Sequence, residues 1–193
     1  MEEKRIGIFG GVFDPVHNGH LAIVEAALEN FSLDSIYVIP CNVPAHKPQP
    51  IIPANERLKL LDVVFGDNER VVVSDIEIRR GGVSYTYETI TAIRKVEGVR
   101  PYFFIGADNL SEIKTWKNPD KILSESQVVA IMRPGYDFID KFPEYDNNIL
   151  TMHIPLLYVS STEVRKRLKM REDTGHLVPV PALDIIFKKS FYL

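Results

Sequence analysis

Short apolar, β-branched runs alternate along the chain with stretches whose apolar residues recur at helical spacing. The runs cover 5–9, 35–39, 71–78, 101–105, 127–132 and 148–154. Several are apolar without alternation, the pattern of strands covered on both faces. Between the first two, Leu21, Val24, Leu28 and Phe31 fall on one stripe of a helix over 18–31, with Asn18 as its N-cap. Further helices are expected over 55–65, 87–96 and 119–124. Strand–helix alternation of this kind implies an α/β fold, a parallel sheet with helices on both faces.

The last forty or so residues follow another rule. Ser160-Ser161-Thr162-Glu163 has the S-x-x-E form of a capping box, and 164–170 continues it as a helix. A turn at Thr174-Gly175 leads to Val178-Pro179-Val180-Pro181, where the prolines exclude a helix interior, and 182–189 forms a closing helix. Residues 40–53 hold five prolines and read as a long loop, a feature that in compact α/β domains is often functional. No repeat or low-complexity tract is present.

Composition narrows the partners. The 193 residues, 45% hydrophobic and 25% charged, suit one well-packed domain over 1–193, of which about 160–193 is a C-terminal helical subregion. A formal net charge of −3 gives no electrostatic case for duplex nucleic acid. Any anionic ligand must therefore meet a local cluster of positive groups. No segment approaches the ~20 apolar residues a membrane helix needs. The single cysteine, Cys41, excludes an internal disulfide and fits a reducing cytoplasm, and the N-terminus lacks the apolar stretch of a signal peptide. A cytoplasmic protein is expected, with homo-oligomer formation left open.

In open parallel sheets, ligands sit beyond the carboxyl ends of the strands, near the switch in strand order. The first run ends at Phe9, so 10–17 lies where a ligand is expected. Gly10 and Gly11 let backbone N–H groups approach an anion, and the helix starting near Asn18 points its positive end the same way. The spacing matches neither G-x-G-x-x-G nor G-x-x-x-x-G-K-[ST]. His17 and His20, three residues apart, face one point at the helix start and offer two donors to a polyphosphate. Read alone, the pair equally fits one capping and one solvated histidine. A metal pair drawing a third ligand from Asp14 is a further alternative. The glycines and the strand-to-helix setting favour a nucleotide.

Gly10-Gly11-Val12-Phe13-Asp14-Pro15-Val16-His17-Asn18-Gly19-His20 resembles the G-G-x-F-[DN]-P-x-H-x-G-H signature of the nucleotidyltransferase superfamily. That resemblance implies a Rossmann-like, doubly wound, mainly parallel sheet. It also implies nucleotidyl transfer with release of pyrophosphate, and Mg²⁺ accompanying ATP. It puts ATP phosphates on His17 and His20, with Gly10, Gly11 and Phe13 in the same ATP loop. Ser160-Ser161-Thr162-Glu163-Val164-Arg165 resembles the superfamily's [IV]-S-S-T-x-[IV]-R motif. Here a helix start, the hydroxyls of Ser161 and Thr162 and the guanidinium of Arg165 would meet phosphates and complete the ATP site. Plain capping is the alternative, and Lys166, Arg167, Lys169 and Arg171 read as a solvated basic face.

Three further segments point to the acceptor. Gly106-Ala107-Asp108-Asn109 with Trp116-Lys117 resembles the I-G-x-D…W-[KY] segment of nicotinate-nucleotide adenylyltransferases. The resemblance gives Gly106 and Asp108 to the ribose or base of ATP, and Trp116 and Lys117 to the substrate, with Trp116 stacked on its pyridine ring. Otherwise Trp116, the one tryptophan, is core. Ser84-Tyr85-Thr86-Tyr87-Glu88-Thr89 resembles S-Y-T-x-D-T, which holds the nicotinate carboxylate; Tyr85 and Thr86 carry that role, and Glu88 stands where aspartate is usual. Asn42-Val43-Pro44-Ala45-His46-Lys47 resembles N-x-P-P-H-K with Ala45 for the second proline. Asn42, His46 and Lys47 would then contact phosphate or ribose from a cationic lid, unless the loop is merely solvated. Arg57 and Leu58 match the family's helix without evident chemistry, and His153 and His176 read as structural.

The resemblance as a whole implies adenylyl transfer from ATP to nicotinate mononucleotide, giving deamido-NAD and pyrophosphate in NAD biosynthesis, with His17, His20, Lys47 and Arg165 as catalytic groups. Three alternatives remain at this point: an enzyme using nicotinamide mononucleotide or another phosphate acceptor, a nucleotide-binding regulatory module, and a metal-dependent hydrolase.

Overall fold

The computed structural model describes residues 4–46, 48–132, 149–154 and 159–193. Lys47 and Asn148 lie outside them. In chain order the first elements are β1 (Ile6–Gly11), α1 (Asn18–Asn30), β2 (Ser35–Pro40), β3 (Val43–Pro44), α2 (Ala54–Phe65), β4 (Val71–Val73), α3 (Ile76–Arg80) and β5 (Val83–Ser84). There follow α4 (Thr86–Glu97), β6 (Tyr102–Gly106), α5 (Ala107–Leu110), a 3-10 turn (Ile113–Thr115), α6 (Pro119–Glu125), β7 (Gln127–Met132), β8 (Ile149–His153), α7 (Ser161–Lys169) and α8 (Val180–Lys188).

Six strands form one sheet in the order β4-β2-β1-β6-β7-β8. Numbered along the chain, these strands read 3-2-1-4-5-6, the order of doubly wound dinucleotide-binding sheets. The order reverses between β1 and β6. These two run parallel, Gly7 opposite Tyr102 and Phe9 opposite Phe104, and end at Gly11 and Gly106, so the first strand runs two residues past Phe9. The pairs β6–β7 and β7–β8 are parallel as well. The Rossmann-like α/β expectation is met.

Two compact units divide the chain. One comprises 1–10, 23–37 and 85–156; the other comprises 11–22, 38–84 and 157–193. In the first, the unalternating strands bury Ile6, Ile8, Phe103, Phe104, Val129 and Ala130. Helix α4 turns Thr89, Ile90 and Ile93 inward and stops at Gly98, whose φ of 75° is the left-handed cap a side chain would resist. In the second, α2 buries Leu60, Leu61 and Phe65, and α8 packs against it with Ala182, Leu183 and Ile186 buried.

Four local expectations change. The run 71–78 is a strand only to Val73, because Ser74-Asp75 starts a helix. The Ser74 hydroxyl accepts from Ile76 N–H at 3.4 Å, and Asp75 pairs with Arg79 at 2.8 Å one turn on. Asn18 is the first helical residue rather than the cap. Its side-chain amide donates instead to the His176 carbonyl at 3.0 Å. Pro181 lies inside α8 but in its first turn, where no intrahelical N–H is needed. Within 40–53, β3 pairs in parallel with β5, so the proline-rich segment is pinned at Val43–Val83 and Pro44–Ser84.

Candidate active site

At the start of α1, His17 occupies the N-cap position and His20 the third helical position. The His17 N–H donates to His20 Nδ1 at 3.1 Å, as the side chain at this position does in a capping box. Because Nδ1 accepts, the imidazole proton of His20 sits on Nε2, which makes that nitrogen a donor. The two rings stack, centroids 3.6 Å apart and inclined by 20°, and His17 is buried. Gly19 makes this stack possible: a Cβ there would stand 2.9 Å from Val159 Cγ1 and 3.1 Å from the His17 ring. Phe13, buried at a left-handed φ of 50°, sets its ring edge-on to His20 at 4.8 Å. A Cβ on Gly11 would meet that ring at 2.9 Å. The glycine is therefore required by contact, beyond any approach of an anion.

Asp14 is 3% exposed, a burial that a carboxylate tolerates only when fully hydrogen-bonded. Its Oδ2 accepts from Ile51 N–H at 2.8 Å. Its Oδ1 accepts from the Tyr192 hydroxyl at 2.6 Å and from Ile52 N–H at 3.4 Å. Arg165 Nη1 donates to the Asp14 carbonyl at 2.7 Å and lies 3.9 Å from Oδ2, while Nη2 donates to Thr162 Oγ1 at 3.2 Å. Burial, and then the bond to Asp14, pushes the Tyr192 phenol well above its ordinary range.

Arg57 is 1% exposed and bonds in the same unit. Its guanidinium donates to the carbonyls of Val12 (2.7 Å), Cys41 (2.7 Å), Asn42 (3.2 Å) and Ile52 (3.3 Å). One side chain thus ties the histidine loop to both ends of the proline-rich segment. The planar fork of arginine suits this better than a lysine point charge.

At α7, Ser160 accepts from Glu163 N–H at 3.2 Å, the serine half of a capping box, and Ser161 Oγ donates to the Pro15 carbonyl at 2.9 Å. Arg167 pairs with Glu163 at 2.7 Å. Asn42 gives its side-chain amide to the Gly82 carbonyl at 2.9 Å and its N–H to Ser84 Oγ at 2.9 Å. His46 is exposed.

In the other unit, Gly106 precedes α5 and Asp108 is exposed in the first turn of that helix. Tyr85 precedes α4, whose start carries no side-chain cap, and Thr86 is its first residue. The Lys117 ammonium sits 4.1 Å above the Tyr85 ring, and Tyr85 lies 6.3 Å from Tyr87. Trp116 is half-buried where the 3-10 turn ends. Among the described residues no three His, Cys, Asp or Glu gather as a metal set, and no helix is long and apolar enough to cross a membrane.

The cytidylyltransferase-like family matches residues 8–167. The chain is 38% identical over 198 residues to the probable nicotinate-nucleotide adenylyltransferase of Clostridium novyi (strain NT), covering 98% of this chain and 99% of that one. It is 39% identical to the protein of the same name from Clostridium tetani (strain Massachusetts / E88), with the same coverage. This chain belongs to the nicotinate-nucleotide adenylyltransferase family. The fold agrees. The Plasmodium falciparum nicotinic acid mononucleotide adenylyltransferase complexed with NaAD superimposes at a TM-score of 0.83 with 21% identity, over 98% of this chain and 97% of that one. The same Plasmodium protein complexed with APC gives a TM-score of 0.78 at 20% identity.

Within this family member, His17, His20, Phe13, Ser161, Thr162 and Arg165 belong to one compact unit, whereas Gly106, Asp108, Tyr85, Thr86, Trp116 and Lys117 belong to the other. Ser161 and Asn42 are already committed to protein carbonyls. Three residues order the site in ways the sequence did not assign: Asp14, part of the glycine–histidine signature and weighed as a metal ligand, Arg57, matched to the family's helix without evident chemistry, and Tyr192. Arg57 did carry a signal, since it shares the buried stripe of Leu60 and Leu61 on α2. Tyr192 carried none, because its partner lies 178 residues away.

Proposed function

We propose that this chain transfers the adenylyl group of ATP to nicotinate mononucleotide, forming deamido-NAD and pyrophosphate. The stacked His17–His20 pair at the start of α1, beyond the carboxyl end of β1 in a 3-2-1-4-5-6 sheet, is the observation that carries the reading. A phosphate oxygen of the mononucleotide forms a bond to the ATP α-phosphorus. The bond from that phosphorus to the β-bridging oxygen breaks, and pyrophosphate leaves with the electron pair. The attacking phosphate is already a dianion above its second pKa near ~6, so no general base is required. Catalysis then rests on alignment and on donors aimed at developing charge.

In this reading the Nε2–H of His20, the amides opening α1 and the Arg165 guanidinium receive the polyphosphate, with His17 stacked behind His20. Lys47 adds positive charge from the 40–53 segment, and Asn42 and His46 serve the acceptor from the same segment. Gly10 and Gly11 give the backbone room, and Gly106 and Asp108 face the adenosine. Trp116 stacks on the pyridine ring, Lys117 and Tyr85 flank it, and the uncapped start of α4 at Thr86 takes the nicotinate carboxylate. Among the described residues no three His, Cys, Asp or Glu gather to hold a divalent ion by themselves. Mg²⁺ would accompany ATP as part of the substrate and supply charge neutralisation. The single cysteine, Cys41, suits a cytoplasmic setting.

Turnover measured with nicotinate, nicotinamide and pantetheine phosphates tests the acceptor. Preference for the nicotinate form is expected from the carboxylate-binding helix start. Faster turnover with either of the others would reassign the substrate.

A further inference from the structure

We propose that Tyr192 is a positioning residue that, by occupying the buried Asp14 carboxylate, keeps Arg165 available for the ATP polyphosphate; this rests on the adenylyl-transfer reading above. The Tyr192 hydroxyl donates to Asp14 Oδ1 at 2.6 Å, and Ile51 N–H donates to Oδ2 at 2.8 Å. Arg165, with both hydroxyl and amide in place, bonds the neutral Asp14 carbonyl at 2.7 Å and stays 3.9 Å from Oδ2. Guanidinium and carboxylate favour a paired, two-bond geometry, and a carboxylate short of donors would take it from Arg165. In that geometry the guanidinium's charge is spent inside the protein. A second feature points the same way. Ser190 and Tyr192 both hold left-handed backbone, at φ 53° and 65°, a conformation that side chains resist and that persists where surrounding contacts enforce it. Lys189, just before them, is anchored to Glu56 on α2. The turn thus delivers the phenol to Asp14.

Tyr192→Phe removes the hydroxyl and keeps the ring. KM for ATP should rise about tenfold while KM for nicotinate mononucleotide moves less than about twofold. In an Asp14→Asn background the same substitution should change KM for ATP by less than about twofold, because a neutral amide does not capture Arg165. A structural role alone would lower the melting temperature and leave KM for ATP in place. An unchanged KM for ATP, or an equal rise in the Asp14→Asn background, overturns the proposal. ATP binding is measured on the same proteins by calorimetry, which needs no turnover. Should the wild-type chain bind ATP yet release no pyrophosphate, the adenylyl-transfer reading fails. The role of Tyr192 is then decided by whether Tyr192→Phe weakens ATP binding about tenfold or leaves it within about twofold. A wild-type chain that does not bind ATP overturns both.

Discussion

Replacing Arg57 by methionine keeps an unbranched apolar stem but removes the guanidinium and every donor it carries. Four carbonyls, those of Val12, Cys41, Asn42 and Ile52, lose their charged donor together. A bond to a charged group contributes ~1.5–3 kcal/mol, and a buried group left unsatisfied costs ~1–3 kcal/mol. The four effects do not add, because one side chain makes all the bonds and losing its buried charge relieves desolvation. A net loss of ~3–5 kcal/mol is therefore expected for Arg57→Met, above the ~1–3 kcal/mol of a single unsatisfied buried group and well below the sum over four. For a chain of this size, each kcal/mol moves the melting temperature by ~2–4 °C, so calorimetry should show a fall of about 6–20 °C. Arg57→Lys should recover less than half of it, since lysine lacks the fork that reaches separate loops. Melting of Arg57→Met within ~1 kcal/mol of wild type would refute the staple, whatever happened to activity.

The remaining expectations are briefer. His20→Ala should lower kcat ~10²–10³-fold while KM for ATP moves less than about threefold; equal losses in both would reduce His20 to a binding residue. Trp116→Ala should raise KM for the mononucleotide about tenfold or more, given ~1–3 kcal/mol per stacked base, with KM for ATP nearly constant. A matching rise in KM for ATP would contradict stacking on the pyridine. Glu97 is held below its ordinary carboxylate value, chiefly by its hydrogen bond from Lys4 and then by that from Tyr37. Tyr37 is pushed up to about 12 by burial and by Glu97. A depressed carboxyl stabilises the fold above its unfolded value, and that contribution disappears as pH falls through the folded value. Denaturant titrations from about pH 6 to about pH 3 should show wild type losing more stability than Glu97→Gln, and parallel curves would remove Glu97 from the acid response.

The sheet was legible because its inner strands, β1, β6 and β7, lie largely buried on both faces and so read as unbroken apolar runs. The run 71–78 misled for the same reason: Val71 to Val73 and Ile76 to Ile78 look continuous, and only Ser74-Asp75 marks the turn into α3. Asn18 has the chemistry of a cap, yet His17 takes that place because the His20 ring reaches back to its N–H. The glycine–histidine loop was visible as short-range spacing. Its support was not. Asp14 is fixed by amides at 51 and 52, a phenol at 192 and a guanidinium at 165, and no local pattern records contacts across such separations. A charged residue in the apolar phase of α2 was the one local trace of the site's scaffold.

Adenylyl transfer itself is tested most directly by incubating the purified chain with ATP, Mg²⁺ and nicotinate mononucleotide and quantifying both products. The expected result is pyrophosphate and deamido-NAD in equal amounts, each absent when the mononucleotide is left out. Pyrophosphate without the dinucleotide, or neither product although ATP binds, would contradict it.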